Sequence, residues 1–123
     1  MTIAPQTRQQ TRWIPVCPLG CLQPERGVAA ILPDHVQVAV FRTGDDTLYA
    51  VSNLDPFCGV AVLSRGIVGD RAGVPTVASP MHKQVFALAS GICLDDPQVR
   101  VPVFMVRQRD GMVEIADPGM GVL

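Results

Sequence analysis

His35-Val36-Gln37-Val38-Ala39-Val40-Phe41-Arg42, followed by Thr43-Gly44-Asp45-Asp46 and then Thr47-Leu48-Tyr49-Ala50-Val51-Ser52, is the stretch that decides the fold. Val36, Val38 and Val40 alternate, the spacing that sends side chains to one face of a strand, and β-branched residues suit a pleated surface. The Gly/Asp-rich segment between the two runs has the length and chemistry of a hairpin loop. The stretch therefore predicts two antiparallel strands.

The same grammar extends outward. A second pair, Val101 to Arg107 and Met112 to Ala116, is joined through Arg109-Asp110-Gly111. Val101, Val103 and Met105 on one face and Phe104 and Val106 on the other leave both faces apolar, which predicts cover on both sides. Pro102 places its own position on an edge or at a bulge. Weaker strands are expected over Arg12 to Val16, Val28 to Leu32, Thr76 to Ala78 and Gln84 to Leu88. About eight short strands with no helical periodicity predict a small all-β sandwich or barrel. Asp55 to Pro75, interrupted by Gly59, Gly66, Gly69 and Gly73, reads as too broken for a simple hairpin. It and the Ser79 to Lys83 turn are expected as neighbouring loops at one end.

The chain has 123 residues, 48% of them hydrophobic and 17% charged. That excludes disorder and suits one domain burying about two thirds of its unfolded surface. The domain is expected over residues 12–117, with flexible tails at 1–11 and 118–123. A formal net charge of -1 leaves no electrostatic footprint for nucleic acid. No run has the length to span a bilayer, and the polar first dozen residues resemble neither a secretory signal nor an anchor, so a cytoplasmic protein without a membrane partner is expected. The four cysteines, Cys17, Cys21, Cys58 and Cys93, fit no common zinc spacing and are expected as free thiols. Cys17 and Cys21 read as buried small hydrophobes.

Two fragments carry the chemistry. Cys58-Gly59-Val60 and Ser79-Pro80-Met81-His82 resemble the two ligand loops of a Rieske two-iron, two-sulfur site, Cys-x-His and Cys-x-x-His. Val60 stands where a histidine belongs and has no lone pair, while Ser79 stands where a cysteine belongs. Serine is far less acidic than a thiol, and iron-sulfur clusters select soft thiolates. Each iron loses one ligand, so the pair reads as a Rieske-like scaffold with two loops in place of a cluster-binding subdomain.

The flanking residues narrow the resemblance. Lys83-Gln84-Val85-Phe86-Ala87-Leu88, Ser90-Gly91 and Asp96-Pro97 are similar to the run after the second Rieske loop. Asn53-Leu54-Asp55-Pro56-Phe57, Val62 to Asp70, Ala78-Ser79-Pro80 and Cys93-Leu94-Asp95-Asp96 resemble the small subunit of assimilatory NAD(P)H-dependent nitrite reductase, from about Trp13 to Ile115. The resemblance implies a Rieske fold, a large-subunit partner that carries FAD, siroheme and an iron-sulfur cluster, and no cofactor or catalytic residue on this chain. Phe57, Arg65, Arg71, Met81 and Lys83 are the candidate contacts for that partner, since arginine and apolar anchors concentrate at interfaces. Val60 is expected to plug the space of the missing cluster.

Rival readings rest on the same residues. A Rieske-type ferredoxin needs ligands at Val60 and Ser79. A cysteine-dependent enzyme built on Cys58 and His82 needs an orienting group and oxyanion donors that the sequence does not identify. Trp13 and Tyr49 read as core, and His35 as a surface histidine. The Gly66 to Gly73 glycines do not follow a strand and open a helix, so a nicotinamide site is unsupported.

Overall fold

The structure, a computed structural model, describes residues 11–117. Apart from Thr11, the tails expected at 1–11 and 118–123 lie outside the described residues. In chain order the strands are β1 (Trp13–Pro18), β2 (Arg26–Leu32), β3 (Val36–Arg42), β4 (Leu48–Ser52) and β5 (Ile67–Arg71). They continue with β6 (Val74–Ala78), β7 (Val85–Ala87), β8 (Val103–Phe104), β9 (Val106–Arg109) and β10 (Met112–Ala116). They form three sheets, ordered β2-β3-β4-β8, β1-β10-β9 and β5-β6-β7, and every pairing is antiparallel. The expected all-β fold is thus the observed one.

β3 holds the arrangement together. Val38, Ala39, Val40 and Phe41 are all fully buried, although consecutive residues of a strand face opposite ways. Ala39 and Phe41 join one core with Val51, Leu63, Val77, Phe86 and Val101, which packs the central sheet against the β5-β6-β7 sheet. Val38 and Val40 join a second core with Leu22, Leu32, Ala50, Val113 and Ile115, against the β1-β10-β9 sheet. The valine alternation marks only one of these faces; Ala39 and Phe41 supply the other. The predicted hairpin is present, with Phe41 opposite Tyr49 and Val40 opposite Ala50. Its loop is closed by the Thr43 N–H on the Thr47 carbonyl at 2.9 Å, and by an Asp45 carboxylate that accepts from the Thr43 hydroxyl and the Thr47 N–H.

Four expectations are corrected, the last of them at Trp13. The Val101 to Arg107 run is two strands. Val103 and Phe104 pair with β4; after Met105 the chain crosses to the other sheet, where β9 pairs with β10. Because this run lies on the edge of both sheets, Val103 and Met105 are exposed rather than covered on both sides. Pro102, just before β8, does sit at an edge, and its carbonyl accepts the Ser52 N–H at 2.9 Å. Second, a simple hairpin, β5–β6, begins within Asp55 to Pro75 and runs on to Ala78, turned through Ala72 and Gly73 with φ of 53° and 87°. The polar Gly69-Asp70-Arg71 segment hides this strand from a hydrophobicity reading, because its side chains face solvent. Third, Cys21 is exposed and Cys17 half-buried. Burial, with the Cys21 thiol as a second cause, pushes the Cys17 thiol up.

Trp13 is half-buried rather than core: the Arg107 guanidinium lies 4.1 Å from the ring centroid, and Arg107 Nε is held by Glu114 at 2.7 Å. Tyr49 packs at the margin of the first core, and His35 is exposed as expected.

Truncating Phe41 empties a site between two layers and should cost about 3–5 kcal/mol in urea unfolding. Ile31→Ala, on the exposed face of β2, should change stability by no more than about 0.5 kcal/mol.

Candidate functional site

The first loop leaves β4 at Ser52 and is anchored at once by Asn53, which is buried. Its backbone N–H donates to the Gln37 carbonyl, its carbonyl accepts from Leu63, and its Oδ1 accepts the Ser64 N–H at 2.7 Å. Between these anchors the chain makes a compact turn. The Asp55 N–H donates to the Val60 carbonyl at 2.9 Å, and the Asp55 carbonyl accepts from Cys58 and Gly59 at 3.2 and 2.7 Å. Asp-Pro is a turn-initiating pair, and Asp55 Oδ1 accepts the Phe57 N–H at 2.8 Å, bonding two residues ahead. Gly59 closes the turn with φ of 73°, where a side chain would be strained.

The second loop, Ser79 to Gln84, is tied across its base by the Ser79 N–H on the Gln84 carbonyl and by the Lys83 N–H on the Ser79 carbonyl, both 2.9 Å. Lys83 takes a left-handed φ of 66° to make this possible. The Ser79 hydroxyl accepts the Met81 N–H at 3.2 Å and donates to Asp55 Oδ2 of the first loop. That bond sets the two loops side by side, as the sequence led us to expect. Asp55 and Ser79 are both buried. Asp55, which the sequence did not single out, is thus the hinge of the site. The signal available was Asp-Pro; its reach to Ser79 is a contact between residues 24 positions apart.

Around the buried pair the loop end is apolar and open. Leu54 is 46% exposed, Phe57 36%, Val60 43% and Met81 50%. The Phe57 ring meets the fully buried Phe86 at 6.1 Å between centroids and 50° tilt, so one edge is anchored while the other faces outward. Val60, expected to plug the space of the missing cluster, is exposed at the rim of the turn, where the bond from the Asp55 N–H to its carbonyl holds it. Leu54 was not singled out from sequence. Arg65 and Lys83 are exposed and make no ion pair among the described residues. Arg71 is bound to Asp95 at 3.1 Å. The Val85 N–H on the Asp95 carboxylate, followed by Arg71, holds that carboxyl below its usual range. Cys58 is half-buried and His82 exposed, and among the described residues no three His, Cys, Asp or Glu side chains are grouped to hold a metal.

Residues 12–116 match the Rieske-like [2Fe-2S] domain family. The "Nitrite reductase (NADH) small subunit" of Escherichia coli strain K12 is 42% identical over 106 residues, covering 85% of this chain and 97% of that protein. This chain belongs to the nitrite reductase small-subunit family. A solved chain from Mycobacterium tuberculosis, assigned as an NADH-dependent nitrite reductase small subunit, is 48% identical with a TM-score of 0.87, covering 91% of this chain and all of that one. The "Nitrite reductase [NAD(P)H] large subunit" of Klebsiella oxytoca contains a segment 36% identical over 105 residues, covering 85% of this chain and 11% of that protein.

A Rieske cluster asks for two thiolates and two imidazoles. In this small-subunit chain the four positions hold Cys58, Val60, Ser79 and His82. Val60 has no donor atom and turns its side chain to solvent, and the Ser79 hydroxyl is engaged with Asp55. The residues present do not fit that four-ligand set.

The Asp95 shift has a readable consequence. A carboxyl held low in the folded chain adds stability above its unfolded value near about 4, and that stability is lost as pH falls through the lower folded value. Melting temperatures followed from pH 6 to about pH 2 should therefore fall less steeply on the acid side for Asp95→Asn than for the unsubstituted chain. An identical acid slope would remove Asp95 from the account.

Proposed function

We propose that this chain is a non-catalytic subunit of a cytoplasmic assimilatory nitrite reductase, docking its loop end on the large subunit and contributing structure or modulation rather than electron transfer. The observation that carries this reading is the pairing of a degenerate ligand set with an ordered, outward-facing apolar surface on the same two loops. An exposed apolar cluster rimmed by charge is the usual anatomy of a protein contact. Leu54, Phe57, Val60 and Met81 form its centre, and Arg65 and Lys83 its free cations. Arg71, already paired with Asp95, stands as a lesser contact.

FAD, siroheme and an iron-sulfur centre belong, in this reading, to the large subunit, where nitrite is reduced to ammonium with electrons from NAD(P)H. No electron-transfer step is assigned to Cys58 or His82. Membership of a small-subunit family supports the partner. The lack of a donor atom at Val60 and of a thiolate at Ser79 supports the absence of a cluster. Among the described residues no helix is long and apolar enough to cross a membrane.

Two measurements test this. The purified chain from iron-replete cells should contain neither iron nor acid-labile sulfide in stoichiometric amount; both together with visible charge-transfer absorption would establish a ferredoxin instead. The chain should also co-purify with a polypeptide containing FAD and siroheme. Arg65→Glu and Lys83→Glu should each weaken that association about tenfold at low salt and by less at high salt, as rim charges do. Association and salt dependence untouched by both changes would place the contact elsewhere.

A further inference from the structure

A single path of hydrogen bonds runs through the loop end: Met81 N–H to Ser79 Oγ, Ser79 O–H to Asp55 Oδ2, and Phe57 N–H to Asp55 Oδ1. Its two ends are the backbone amides of Phe57 and Met81, the residues that present apolar side chains on opposite loops. Both carboxylate oxygens of Asp55 are used, and the Ser79 hydroxyl both donates and accepts. The Asp55 carbonyl further binds the Cys58 and Gly59 amides, so the whole first loop is organised around this residue.

We propose that Asp55 and Ser79 are positioning residues that do in this chain what a bridging metal cluster does mechanically: they pin the two loops together and thereby fix Phe57 relative to Met81 for docking. The position where a Rieske loop supplies a thiolate to metal here supplies a hydroxyl to carboxylate. A buried carboxylate with both oxygens bonded is a fixed point, and removing one partner leaves the other unsatisfied in a dry place. The consequence for docking rests on the proposed partner surface; the pinning itself does not.

Amide hydrogen exchange on the isolated full chain reads the pin directly. In Ser79→Ala, exchange at Cys58 and Gly59 should quicken about tenfold or more, the scale of a lost charge-assisted hydrogen bond, while Val40 and Phe41 in β3 keep their protection. A Ser79 hydroxyl proton shielded from exchange should be visible by NMR in the unsubstituted chain and vanish in Asp55→Ala, which takes away its acceptor. Ser79→Thr, which keeps the hydroxyl, should restore slow exchange at Cys58 and Gly59. Unchanged exchange at those two amides in Ser79→Ala overturns the pin.

Docking is then measured separately against the flavin- and siroheme-containing polypeptide. Ser79→Ala should bind about tenfold more weakly and Ser79→Thr should recover. Equal binding by Ser79→Ala and the unsubstituted chain would overturn the link between pin and docking and leave the partner reading standing. Failure of the unsubstituted chain to bind would defeat that partner reading, with the exchange result still deciding the pin.

Discussion

Burial of β3 on both of its faces is the constraint on which the other elements depend. A strand covered on one side needs a single partner layer, but Val38 and Val40 point one way and Ala39 and Phe41 the other, and all four are excluded from water. Two further sheets must therefore flank the central one, and each is too small to stand without it. At roughly 25 cal/mol per Å² of apolar surface removed from water, this arrangement gathers the hydrophobic driving force of three small sheets onto one seven-residue strand. Loop placement follows. β4 pairs along β3 and releases the chain at Asn53, whose bond to Gln37 starts the first loop at the edge of that core.

What the loops then do is decided by polar rather than apolar contacts. Asn53 clamps the base of the first loop, and Asp55 and Ser79 join it to the second. With its polar groups engaged inside, the loop end turns Leu54, Phe57, Val60 and Met81 outward. The apolar exposure is thus a product of internal hydrogen bonding and of the one anchored edge of Phe57 against Phe86. A surface held by such bonds loses less entropy on association than a mobile one.

Much of this was readable in advance, for identifiable reasons. The Val36-Val38-Val40 alternation and the Thr43 to Asp46 loop are local signals, and they placed the central hairpin correctly. The ligand positions Cys58, Val60, Ser79 and His82 were legible because they belong to short motifs. The parts that were not legible depend on long-range geometry. The run beginning at Val101 looks like one strand because nothing local announces that it changes sheets at Met105. Val60 looked like a filler because an apolar residue at a vacated ligand position suggests burial, whereas a backbone bond holds it at the rim. Asp55 was the largest omission: a buried carboxylate reveals itself only through its partners, and its decisive partner is on another loop.

Strand pairing between β1 and β10 sets Trp13 opposite Ala116 and Ile14 opposite Ile115. The polypeptide thus enters and leaves this fold at one place, zipped together by its first and last strands. Domains with adjacent ends are portable: they can be joined to a longer chain without dismantling their interior. The fold can therefore exist as a separate polypeptide or as a passage in a much larger one, as the matching segment of the Klebsiella oxytoca protein does. For a fold with its ends joined in this way, whether it travels free or tethered is a matter of gene arrangement more than of architecture, and a tether would replace diffusional encounter with a high local concentration.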